Sequence, residues 1–172
     1  MYKDCVPFKR KALYLLLTIP VVILYLLIIK HLWQVNKIVF VIYCSLFVLI
    51  ILFQSYCCAY QSCPYIGKFC PGAGGFIIPA SVVALLLNKV KRSKRLFNLF
   101  ASLASLCLFA IILLPVYFIY KLGINFLVFY LIIVITYSIL FLFLICPFCA
   151  IRDICPAGKV SSNISKKFNL KC

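Results

Sequence analysis

Two stretches, "CCAYQSCPYIGKFCPG" at residues 57–72 and "CPFCAIRDICPAGK" at residues 146–159, gather thiols directly after long apolar runs. With the C-terminal residue they supply two sets of four: Cys57, Cys58, Cys63 and Cys70, then Cys146, Cys149, Cys155 and Cys172. A cysteine acts as nucleophile or metal ligand through its thiolate, so clustered cysteines in a reducing compartment point to soft-metal binding or to thiol redox chemistry. Neither stretch contains histidine, and Asp153 is their only acid, which excludes carboxylate sites for calcium, magnesium or di-iron. Four thiolates suit an iron–sulfur cluster or zinc.

Spacing separates those two. Structural zinc ordinarily uses two C-x2-C knuckles, and the chain has one, Cys146-Pro-Phe-Cys149. Proline follows Cys63, Cys70, Cys146 and Cys155, as it follows the last ligand of ferredoxin-type loops. Gly72, Gly74 and Gly75 let backbone amides approach cluster sulfurs, while Lys68, Arg152 and Lys159 offset thiolate charge. The expected cofactor is therefore a 4Fe–4S cluster, with zinc behind it. Cys57, Cys63, Cys149 and Cys155 are the expected ligands, and Cys58, Cys70 and Cys146 are ligands of a second centre or thiols around the first. Cys5, Cys44 and Cys107 read as small apolar side chains without a chemical role.

The elements that hold these thiols follow from hydropathy. Of the 172 residues, 67% are hydrophobic, and the mean hydropathy is +1.20, outside the range of soluble domains. A spanning helix needs about 20 apolar residues. Four segments meet that length: Ala12 to Trp33, Ile38 to Tyr56, Leu96 to Tyr120 and Leu122 to Ile145. A shorter apolar stretch, Phe76 to Leu87, follows the three glycines and reads as an interfacial helix. The expected fold is one all-α integral membrane domain over residues 1–172. Its only close partner from composition is the lipid bilayer.

The first apolar run follows Lys9, Arg10 and Lys11, as in a signal peptide, yet "IIKHLWQVNK" offers no small-residue cleavage site, so it is kept as an anchor. The eighteen basic residues, against two acids, lie between the apolar runs, so the charge reads as topological and nucleic-acid binding is excluded. Fifteen of them fall in the two tails and in residues 57–95, and only Lys30, Lys37 and Lys121 in the other two connections. This bias predicts a cell-membrane protein with both termini and both cysteine stretches in the cytoplasm. His31 and Trp33 then sit at headgroup level, and the small residues Ala101, Ser102, Ala104 and Ser105 predict a close helix–helix approach.

An offset of 92 residues superposes "CCAYQSCP" on "CAIRDICP", aligning Cys57 with Cys149 and Cys63-Pro64 with Cys155-Pro156. Residues 12–70 and 96–159 thus read as an internal repeat, two tandem hairpins related by an axis along the membrane normal. That symmetry would bring both cysteine stretches to one face of a four-helix bundle.

Cys-Pro loops behind transmembrane helices, present twice, resemble the membrane-bound polyferredoxin-like proteins that accompany respiratory nitrate and nitrous-oxide reductases. The resemblance covers the helix-and-loop layout and the elements around Cys63, Cys70 and Cys155. Where that family has C-x3-C-P, this chain has C-x5-C-P twice and C-x6-C-P from Cys63 to Cys70. The resemblance implies electron transfer from a cytoplasmic donor to a quinone or a membrane redox partner. Three other readings stay open. The chain is also similar to four-helix, quinone-coupled thiol–disulfide oxidoreductases of the vitamin K epoxide reductase kind, which would make Cys146 and Cys149 the active pair and Cys57 or Cys63 the shuttle; sidedness counts against it, because those enzymes act on the oxidising side. A soft-metal transporter would pass ions through the loops, and a structural membrane subunit would leave the cysteines incidental.

Overall fold

The computed structural model describes residues 8–70, 77–87, 93–149 and 161, and among these the secondary structure is helical, with no strand. Five helices follow in order: α1 (Lys11–Val35), α2 (Lys37–Tyr60), α3 (Ile77–Leu87), α4 (Lys94–Leu122) and α5 (Ile124–Leu144), with a 3₁₀ turn at Cys146–Phe148. By length and composition α1, α2, α4 and α5 are each able to cross a membrane. α3, with 11 residues, is too short to do so and packs on α2.

α1, α2 and α4 extend beyond their apolar segments, whereas α5 falls within its own, and the connections within each hairpin are minimal. Between α1 and α2 lies only Asn36, whose side-chain oxygen accepts from the N–H groups of Ile38 at 3.0 Å and Val39 at 3.2 Å, capping α2. Between α4 and α5 lies only Gly123, at φ 139°, a conformation that a residue with a Cβ rarely adopts. The expected connections "KHLWQVNK" and "KLGIN" are thus largely helical. Trp33 stacks edge-on to Phe40 at 4.8 Å with Lys37 above it, and Lys121 lies over Tyr117, which gives this end the aromatic and basic fringe of a membrane interface.

Neighbouring helices pack in the ring order α1, α2, α4, α5, with α5 closing back on α1. α1 and α4 stand across the diagonal. The bundle is apolar outside as well as inside: Leu16 is 70% exposed and Ile38 73%. Such a surface suits hydrocarbon rather than water. Inside, Ala104 and Cys107 face the core of α4 while Ser105 turns its hydroxyl onto the Ala101 carbonyl at 3.0 Å, so part of the small-residue stripe does face a neighbour.

Two buried clusters divide the interior. The larger, around Tyr25, Tyr43, Ile50, Ile111 and Tyr130, fills the middle of the bundle and the capped-turn end. In it the Tyr130 hydroxyl donates to the Ile112 carbonyl at 2.8 Å, a bond from α5 to α4 in the turn that Pro115 interrupts. The second cluster closes the opposite end, and it is built around cysteines.

Candidate functional site

Cys63, Cys70 and Cys146 are buried in that end cluster with Phe8, Tyr14, Tyr65, Phe141 and Ile145, and Cys58 and Cys149 pack against it. Thiols from the two cysteine stretches therefore meet at one end of the bundle. Cys57 lies outside the cluster. Helix geometry explains the difference, since consecutive residues point about 100° apart around the axis, and α2 runs to Tyr60, so that both Cys57 and Cys58 are on its last turns rather than in a loop. Cys155, like Cys5 and Cys172, falls outside the described residues.

The end of α2 determines which thiols pair. Ser62 takes the left-handed conformation at φ 49°, the Ser62 N–H donates to the Ala59 carbonyl at 3.3 Å, and the Cys63 N–H donates to the Cys58 carbonyl at 3.1 Å. These two bonds and the left-handed residue make a Schellman motif, in which the side chain just past the helix meets the one five positions back. Here those two side chains are Cys63 and Cys58. Their thiols are hydrogen-bonded to each other. Proline at 64 follows naturally, because the helix has already ended.

Electrostatics at the pair are asymmetric. The Cys58 thiol donates to the Cys63 sulfur, and this bond, opposed by burial and assisted by the Tyr65 N–H, holds the Cys63 thiol below its ordinary value of 9.0. A thiol in that state is a ready nucleophile near neutral pH. Around it the chain is basic and aromatic. The Arg10 guanidinium lies 3.5 Å above the Phe148 ring and Lys11 lies over Phe69, which meets Tyr14 edge-on at 5.3 Å.

The remaining thiols are held by tight turns. Residues three apart eclipse in a 3₁₀ turn, which lets Cys146 and Cys149 both address the cluster; the turn is closed by the Cys149 N–H donating to the Cys146 carbonyl at 3.2 Å. The loop from Gln61 to Cys70 is folded down by the fully buried Tyr65 and covered by α3, where Leu85 comes within 3.2 Å of the place a Cβ on Gly67 would occupy. Gly67 is favoured there by its φ of 70°, a conformation that side chains with a Cβ rarely adopt.

Of the seven expected cofactor-binding cysteines, the structure brings five together: Cys58, Cys63, Cys70, Cys146 and Cys149. It does not arrange them as a metal centre, since among the described residues no three Cys, His, Asp or Glu side chains converge closely enough to hold an ion. The described thiols alone therefore do not fit zinc or a cluster, which need four convergent sulfurs. Sequence reasoning aligned Cys57 with Cys149 and passed over the Cys58–Cys63 pair; the continuation of the helix through Tyr60, with a five-residue offset to a Cys-Pro, was the signal available. Gln54, one turn before Cys57 and Cys58, was also missed, and its side-chain oxygen is buried without a donor among the described residues. Comparison with known proteins finds no matching family model, no matching curated protein and no matching solved structure.

Proposed function

We propose that this chain is a membrane-embedded thiol redox protein in which Cys58 and Cys63 interconvert between dithiol and disulfide, with Cys146 and Cys149 as a second pair in the same cluster. The observation that carries this reading is the hydrogen-bonded Cys58–Cys63 pair at the end of α2, in which one partner is poised as thiolate and the other as the thiol it would join. Clustered thiols from the two cysteine stretches support passage of reducing equivalents between pairs by exchange. The basic bias places the cluster on the cytoplasmic side of the cell membrane, where the donor is a cytoplasmic dithiol. The test is mass-spectrometric mapping of disulfides in protein purified without oxygen and then treated with diamide. The expected product is a Cys58–Cys63 disulfide in wild type and none in Cys63→Ser. Absence of that disulfide in the wild-type protein ends the reading.

A second reading retains the soft-metal centre, a 4Fe–4S cluster before zinc, with Cys155 completing a set begun by Cys63 and Cys149. It is supported by the presence of thiols from the two stretches in one cluster, although the described thiols do not themselves form a metal site. Iron and acid-labile sulfide in anaerobically purified protein, lost in the Cys63→Ser, Cys155→Ser double variant, would establish it.

A further inference from the structure

Reducing equivalents have to reach thiols that are almost closed off from solvent. Cys63 is 5% exposed, Cys70 4% and Cys146 6%. Most of the described cover is built into the fold. Tyr14 belongs to α1 and Phe141 to α5, and Tyr65 lies in turns closed by the Ile66 N–H on the Cys63 carbonyl and the Lys68 N–H on the Tyr65 carbonyl. Phe8 is different. It precedes α1, yet it is only 1% exposed and belongs to the same cluster as the three cysteines.

Side-chain contacts fasten this segment to both cysteine stretches. The Phe8 ring stacks on Phe69, the neighbour of Cys70, with centroids 6.3 Å apart and planes at 15°. The Arg10 guanidinium lies 3.5 Å from the centre of the Phe148 ring, in the turn between Cys146 and Cys149, and Lys11 lies 5.8 Å from the centre of the Phe69 ring. Residues 8–11 thus bridge the two stretches, with a hold on each. Arg10 is the N-cap residue of α1 but makes no side-chain capping bond, so the segment is not locked to the helix it leads into. A segment held by a few ring contacts opens locally at far lower cost than the helices beneath it.

We infer that residues 8–11 are an autoinhibitory latch over the thiol cluster, and that a protein dithiol exchanges with the cluster only after Phe8 and Arg10 release their rings. The inference rests on the dithiol reading above. In exchange the attacking sulfur has to touch a disulfide sulfur. A small dithiol needs only a narrow gap for that, whereas one carried on a folded partner brings a patch of surface with it and meets Phe8 and Arg10 first. The step balances. The partner's dithiol loses two electrons and two protons and leaves as a disulfide, while the Cys58–Cys63 S–S bond breaks to give two thiols. The latch supplies selectivity, because an uncovered thiolate at Cys63 would exchange with any disulfide that reached it.

The test uses the full chain in phosphatidylcholine nanodiscs, its Cys58–Cys63 disulfide closed with diamide, and compares two reductants of the same chemistry and different size, dithiothreitol and reduced thioredoxin. Arg10→Ala should raise the rate with thioredoxin by about two- to fivefold, the loss of one cation–ring contact. Phe8→Ala should raise it by more than about tenfold, the loss of one buried ring. The rate with dithiothreitol should change little in either. Cys107, 4% exposed in the middle of the bundle, should stay closed to maleimide in both variants, which shows that the fold has not loosened. Equal thioredoxin rates in wild type and Phe8→Ala overturn the latch, and so does a rise shared by both reductants with Cys107 newly reactive. Failure of diamide to close the disulfide overturns the dithiol reading alone. The cover is then read from Cys146 and a polyethylene-glycol maleimide: faster labelling in Phe8→Ala supports it, and unchanged labelling overturns it.

Discussion

Cys63 differs from its neighbours in having a thiol donor on one side and a backbone N–H on the other, and that difference is measurable. With its thiol held below the ordinary value of 9.0, Cys63 carries more thiolate near neutral pH than an ordinary cysteine and should alkylate faster, although intrinsic nucleophilicity falls with basicity and offsets part of the gain. Iodoacetamide labelling of Cys63, followed by mass spectrometry across pH 5 to 10, should rise with a midpoint below that of an ordinary thiol. In Cys58→Ala the donor is gone, and the midpoint should move upward, because the hydrogen bond that favoured the charged sulfur was the largest influence on it. An unchanged midpoint would show that the two thiols are not coupled.

At the scale of the element, the end of α2 carries both a left-handed residue and the proposed dithiol pair. Ser62 occupies a left-handed position that glycine fills at no steric cost, so Ser62→Gly should stabilise the protein by about 1 kcal/mol, while Ser62→Val should destabilise it and separate Cys58 from Cys63. Denaturant titration in mild detergent reads the first effect, and diamide-driven disulfide yield reads the second. The bond from Tyr130 to the Ile112 carbonyl is the described side-chain hydrogen bond that crosses from α5 to α4. Tyr130→Phe should cost roughly 0.6–1.7 kcal/mol, the range of interhelical hydrogen bonds in membranes. No loss would mean that the carbonyl beside the Pro115 kink is satisfied without it.

The whole molecule sets sidedness. Four segments of spanning length would return the chain to the side on which it began, and Lys9, Arg10 and Lys11 open α1 at the same end as the cysteine cluster. An impermeant maleimide should therefore leave Cys57 and Cys149 unmodified in intact cells and label them in inverted vesicles. Labelling of intact cells would put the cluster on the oxidising side and overturn the cytoplasmic expectation.

Length and apolarity, written residue by residue, were enough to place the four long helices and the short α3, because a spanning segment has to satisfy its backbone internally and so must be one uninterrupted helix. The gathering of thiols at one end was legible too, since each cysteine stretch follows a span that runs in the same direction. Which thiols touch was not. The offset of 92 residues paired Cys57 with Cys149 by letter, whereas the winding of α2 past Tyr56 and the left-handed turn at Ser62 turned Cys58 toward Cys63 and left Cys57 aside. A contact between side chains depends on where a helix stops and which way its last turn faces. The contact of Arg10 with Phe148 was decided at the same level, since the two meet only where α1 and α5 close the ring, and neither helix records in its own sequence the face its partner will meet.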